Sequence, residues 1–108
     1  MSKLNFIAEL CQNHQGKLYN IQKMVAECTA YGATTIKMQY IFAKNLSFRP
    51  QFETGLKIGK RTLVIKRPYI NEFKRLKKLD IPNSYYEKFI KTCEQNHVIP
   101  AVTCFARE

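Results

Sequence analysis

A chain of 108 residues with 45% hydrophobic and 12% aromatic content is the size of one domain and has enough apolar material for a core, which excludes a disordered tail. No run approaches the roughly 18 apolar residues of a membrane span, and Met1-Ser2-Lys3-Leu4 leads straight into a strand-like segment with no signal-peptide apolar region, so a cytoplasmic protein with no membrane partner is expected. The formal charge of +10 attracts anions without saying which.

The stretch from Leu4 to Leu10 is apolar and β-prone apart from Asn5 and Glu9, and it reads as a short buried strand ending on a carboxylate. A polar loop follows, Cys11-Gln12-Asn13-His14-Gln15-Gly16. Leu18, Ile21, Met24, Val25 and Cys28 then keep helical spacing, with Gly32 where a C-terminal cap belongs, which predicts a helix over 17–31. Thr34 to Tyr40 is β-branched at its start and polar near its end, and predicts a second strand. Strand, helix and strand in this order form a βαβ unit with parallel strands. Residues 41–68 lose all helical period, because Pro50, Gly55, Gly59 and Pro68 interrupt them. They are expected to be an irregular insert, with a small hairpin within Arg61 to Lys66.

Regular pattern returns with Tyr69, Ile70, Phe73, Leu76 and Leu79 on one helical face and Lys and Arg on the other. A break at Asp80-Ile81-Pro82 places Pro82 in the first turn of the next helix, whose apolar face is Tyr86, Phe89, Ile90 and Cys93. That helix should stop near Asn96-His97. Val98 to Phe105 predicts a third strand, with Pro100 near its beginning, where a missing N–H does least harm.

Cys11, Cys28, Cys93 and Cys104 include no Cys-x-x-Cys pair and read as free thiols in a reducing compartment. Cys11-x-x-His14 together with Cys93-x-x-x-His97 offers zinc two sulfurs and two imidazoles, but Cys93 falls on an apolar helical stripe, where a small buried thiol is the ordinary explanation. Nine of the 18 basic residues lie between Lys57 and Lys78, opposed there only by Glu72, so the charge belongs mainly to one stretch. An anionic polymer is one partner such a stretch would suit. A nucleic-acid site would interleave those cations with exposed aromatics, whereas Tyr69 and Phe73 fit the buried face of a helix, which argues against nucleic acid.

In parallel α/β architectures the site lies at the carboxyl ends of the strands, where loops and helix N-termini converge. The candidates there are Glu9, Asn13 and His14 after the first strand, Lys37 and Gln39 on the second, and Thr103 with Arg107 on the third. Lys37 and Gln39, two apart, share one side of their strand. A lysine on an apolar strand needs an anion beside it, either a substrate phosphate or carboxylate, or a structural partner such as Glu9. A histidine in a polar loop, such as His14, is more often a hydrogen-bonded loop residue than a catalyst.

Phe6-Ile7-Ala8-Glu9-Leu10, Gln12-Asn13-His14-Gln15-Gly16, Gly32-Ala33 and Ile36-Lys37-Met38-Gln39, in that order on predicted strand ends, resemble the N-terminal segment of the sialic acid synthase family. That family includes the N-acetylneuraminate, legionaminate and pseudaminate synthases. The likeness resumes from Ile81 to Val102-Thr103-Cys104-Phe105 and leaves out the 41–68 insert. The resemblance implies an α/β fold, the first three βα units of a partial (β/α)₈ TIM barrel, in a transferase that condenses phosphoenolpyruvate with an N-acetylhexosamine into a nonulosonic acid. It implies catalytic roles for Glu9 and Lys37. Lys37 and Thr103 would hold phosphoenolpyruvate, Glu9 and Gln39 would contact the amino sugar, and Asn13 and His14 would shape the mouth. It implies a divalent metal, Mn²⁺ or Mg²⁺, with ligands outside this chain, and a homodimer for the full-length enzyme. Eight strands and roughly 250 residues close such a barrel, so the chain is expected to be an N-terminal fragment, inactive alone. A non-catalytic remnant binding a phosphorylated metabolite is the alternative. Four residues depart from the family pattern: Leu10-Cys11 stand for Ile-Gly, His97 for a glycine and Cys104 for a proline.

Overall fold

Alternation along Thr35-Ile36-Lys37-Met38-Gln39 turns Ile36 and Met38 to one side of a strand and Thr35, Lys37 and Gln39 to the other. A computed structural model describes residues 4–104. Its elements are β1 (Ile7–Cys11), α1 (Leu18–Ala30), β2 (Thr35–Gln39), a 3₁₀ turn (Ala43–Asn45), α2 (Gln51–Thr54), β3 (Leu56–Ile58), β4 (Arg61–Val64), α3 (Tyr69–Lys77), α4 (Asn83–Gln95) and β5 (Ile99–Thr103). Phe105 and Arg107 lie outside the described residues.

β2 is the centre of a three-stranded parallel sheet of order β1-β2-β5. Ile7, Ala8 and Glu9 stand opposite Thr35, Ile36 and Lys37, while Lys37, Met38 and Gln39 stand opposite Ala101, Val102 and Thr103. α1 links β1 to β2, and α4 leads into β5. Both pack on the face that carries Ile36 and Met38, in one core with Ile21, Val25, Phe89 and Cys93, all of them fully buried. The other face has no helix against it among the described residues. Ile7 and Ile99 there are 61% and 63% exposed. The fold is therefore mixed α/β with a parallel sheet covered on one side.

The first strand starts later than expected: pairing begins at Ile7 rather than Leu4, and Leu4 and Phe6 lie ahead of the paired segment. Leu4 and Phe6 stay exposed, although the Phe6 N–H donates to Thr34 Oγ1 at 2.8 Å.

The 41–68 stretch is more ordered than its composition suggests. β3 and β4 pair antiparallel around Gly59, whose φ of +58° makes the tight reversal possible. The expected hairpin within Arg61–Lys66 is thus displaced, since Arg61–Val64 is only its second strand and the first lies upstream. The hairpin packs chiefly on itself, and the chain spans 53 × 34 × 24 Å with a radius of gyration of 17.3 Å. A compact domain of this length has about 13 Å.

α3 closes a second, small core of Ile41, Ala43 and Leu76, with Phe73 and Leu79 against it, while Ile70 stays 53% exposed. Asp80 ties this unit together, accepting the Ala43 N–H at 3.0 Å and pairing with Lys77 at 3.2 Å. Pro82 sits one residue ahead of α4 rather than in its first turn, where its missing N–H is equally harmless.

Two of the departures from the family pattern fall on strained backbone. Cys11 has φ +52° and His97 φ +58°, both in the left-handed region that glycine occupies freely. His97→Gly is accordingly expected to raise stability by about 0.5–1 kcal/mol, the left-handed penalty less glycine's chain entropy. Urea unfolding measures this, and a variant less stable than the parent would contradict the backbone assignment.

Candidate functional site

Strands that run parallel deliver their following loops to one end of the sheet. β1 there enters the loop 12–17 and β2 enters the insert. On the helix-free face near this end, Glu9 and Lys37 are register partners, with Lys37 Nζ 3.6 Å from Glu9 Oε2. Gln39 and Thr103 pair across the next row toward the carboxyl ends. By strand alternation all four side chains share the open face, and small Ala101 beside Lys37 leaves room around the amine.

The bulge at the end of β1 positions the carboxylate. Register slips between Glu9 and Cys11, and the Cys11 N–H turns back to donate to Glu9 Oε1 at 3.0 Å. Glu9 and Lys37 are 40% and 39% exposed in their side chains, so the pair contributes on the order of 0–1 kcal/mol. Little stability rests on it. One contact of 3.6 Å also engages at most one of the three ammonium donors, and the others are open to an incoming anion.

Asn13 and His14 do not join this row. Asn13 is exposed and lines a shallow depression against α1 with Asn20 and Met24. His14 is buried to 1% exposure. Its Nδ1 accepts the Gly16 N–H at 2.8 Å, which puts the ring proton on Nε2, and Nε2 has no hydrogen-bond partner among the described residues. Its carbonyl accepts from Lys17 N–H at 3.0 Å and Asn20 Nδ2 at 2.9 Å, so the residue organises the loop from within. Gly16 has φ +77°, and a Cβ there would stand 2.9 Å from the Lys78 carbonyl oxygen. Only glycine lets the loop lie this close to the end of α3.

Burial holds the His14 imidazole below its ordinary pKa, so the folded protein disfavours its charged form. The unfolded chain binds that proton more readily, and the contribution of neutral His14 is present above about pH 6.5 and lost as pH falls through the depressed folded value. Urea midpoints between pH 7.5 and 5 should therefore decline, and His14→Gln should flatten that decline. An unchanged slope in the variant would remove His14 as its source.

Among the described residues no three of His, Cys, Asp or Glu come together to hold a metal ion. The zinc alternative thus fails, since Cys11, His14, Cys93 and His97 do not converge. Cys93 is a core thiol, pushed up to about 11 chiefly by burial. The described residues likewise bring together no such set of ligands for Mn²⁺ or Mg²⁺.

The basic stretch is divided between the hairpin and α3, where Arg75 pairs with Glu72 and Lys77 with Asp80. Sequence reasoning missed one feature beside it: Arg49 and Arg67 line a cleft of about 400 Å³ with Phe52 and Tyr69. These residues come from an aperiodic stretch and a helix start, so no spacing announces them.

A search of protein-family models and a search of curated proteins each return no match. Among solved structures, the chain is similar to the N-acetylneuraminic acid (sialic acid) synthetase of Leptospira borgpetersenii serovar Hardjo-bovis, solved in complex with citrate. The TM-score is 0.72 at 15% identity, over 97% of this chain. That likeness carries the fold. The chain spans 30% of the synthetase, so its α/β unit corresponds to part of a larger enzyme. No helix among the described residues is long and apolar enough to cross a membrane.

Proposed function

We propose that the open sheet face is the phosphoenolpyruvate end of a condensing enzyme, in which C3 of phosphoenolpyruvate joins the aldehyde carbon of an N-acetylated amino sugar. In this reading the chain supplies the first three βα units of a (β/α)₈ barrel, and its bare sheet face is the barrel interior. Water adds at C2, the C–O bond breaks, and phosphate leaves with a nonulosonic acid as product. The Lys37 ammonium holds the substrate's negative charge, and the Thr103 hydroxyl donates to it. Glu9 and Gln39, with oxygens that accept hydrogen bonds, orient the sugar hydroxyls and amide.

The single observation that carries the reading is the half-open Lys37–Glu9 pair in one row system with Gln39 and Thr103. A fixed cation stabilises a doubly charged substrate most strongly where water can be excluded, and the helix-free face is where further structure would exclude it. Parallel strand order, one-sided helix cover and the likeness to the synthetase support the same reading.

The test is phosphate release from phosphoenolpyruvate that requires N-acetylmannosamine, measured with the purified protein in Mn²⁺ buffer, alongside equilibrium titration with phosphoenolpyruvate alone. Saturable binding is expected even if turnover is slow. The absence of both saturable binding and sugar-dependent release would sink the proposal.

A further inference from the structure

The insert between β2 and α3 builds a cleft of its own, about 400 Å³ and within the size range of small-molecule sites. Two carboxylates and two guanidiniums line it, but their situations differ. Glu53 Oε1 accepts the Tyr69 N–H at 2.7 Å, and Glu72 is paired with Arg75, whose Nε stands 3.2 Å from Glu72 Oε2. Both acids thus already have donors. Arg49 and Arg67 have no carboxylate within ion-pair distance among the described residues.

Phe52 places both arginines. The Arg49 guanidinium carbon lies 5.8 Å from its ring centroid, and the Arg67 backbone N–H donates to its carbonyl at 2.7 Å. Tyr69 is braced by Phe73, with ring centroids 6.0 Å apart, and by the edge of Phe48 at 5.9 Å. The cleft therefore joins two cationic forks, neither of them in an ion pair among the described residues although Arg67 helps to hold the Glu72 carboxyl below its ordinary pKa, to a braced aromatic wall.

We propose that this cleft binds a small phosphomonoester, with Arg49 and Arg67 on the phosphate and the ester's ring or apolar body against Phe52 and Tyr69. A guanidinium presents planar paired donors that match phosphate oxygens. Two of them balance a dianion, whereas a lone carboxylate would leave one unsatisfied. A long polyanion fits less well, because Glu53 and Glu72 line the same cleft and would repel a chain of phosphates running past them. The site stands on the insert and is separate from the Glu9–Lys37 row.

The experiment is calorimetric titration of the full chain with phenyl phosphate at constant ionic strength, with amide NMR shifts to locate binding. Saturable binding is expected, with shifts at residues 45–53 and 67–72. Arg49→Ala and Arg67→Ala should each weaken it at least tenfold, and the corresponding lysine variants should recover it only in part. Lys57→Ala, an equal charge change on the hairpin, should stay within twofold. Both arginines are exposed, so their loss spares the cores, and the wild-type shift map needs no variant at all. Absence of saturable binding, equal weakening by Lys57→Ala, or shifts confined to the sheet face around Lys37 would each overturn the proposal.

Discussion

In a complete barrel that contains this chain, the proposed role of Lys37 predicts that Lys37→Met lowers sugar-dependent phosphate release from phosphoenolpyruvate by about 10³-fold and raises the phosphoenolpyruvate concentration needed for half-maximal rate. Methionine keeps the length and apolar stem of lysine, so the change removes the charge and little else. The Glu9 partner is 40% exposed and rehydrates when released, which limits the stability change to about 1 kcal/mol. A large kinetic effect with a nearly unchanged unfolding midpoint would separate a substrate role from a structural ion pair. Kinetics within twofold of the parent would take Lys37 out of the site. Glu9→Gln supplies the complementary measurement, since it keeps shape and acceptor while removing the charge, and should impair use of the sugar more than of phosphoenolpyruvate.

Phe89→Ala is expected to cost about 3–5 kcal/mol, the usual loss for emptying an aromatic site in a packed core. Phe89 is fully buried where α4 meets the sheet, in the cluster with Ile36, Met38 and Ile21. Small domains have a margin of only about 5–15 kcal/mol, and this one leaves a sheet face open, so the variant should lose most of its cooperative unfolding transition. Ile70→Ala is the control. Ile70 is 53% exposed on α3, and its truncation should change stability by no more than about 0.5 kcal/mol. A loss below about 1 kcal/mol for Phe89→Ala would mean that the core does not lie between α4 and the sheet.

The candidate row was largely legible before any coordinates, for a reason rooted in strand geometry. Lys37 and Gln39 are two apart, so any strand there puts them on one face, and parallel pairing with β1 needs only a register to bring Glu9 alongside. His14 was not legible in the same way. A polar loop sequence gives no sign that one of its side chains turns inward, and the burial of His14 follows from the Gly16 turn against the end of α3. The cleft at Arg49 and Arg67 left no trace in periodicity, because its walls come from the end of an irregular run, a single helical turn and the start of α3. Glycine expected at positions 11 and 97 is the opposite case. The family pattern marked both as departures, and their positive φ values supply the physical content of that mark.

Outside residues 41–68, hydrophobic period and the placing of Gly and Pro alone determined the order of the sheet strands and the three long helices, the parallel βαβ linkage and the face shared by Lys37 and Gln39. These are local quantities, set by residues within one or two turns of each other. Only the tertiary structure decided that both helices cover the same face, that β3 finds its partner across Gly59, and that two arginines share a cleft with Phe52 and Tyr69. Each of these depends on how distant segments pack, and side-chain packing is a property of the assembled surfaces rather than of any window along the chain.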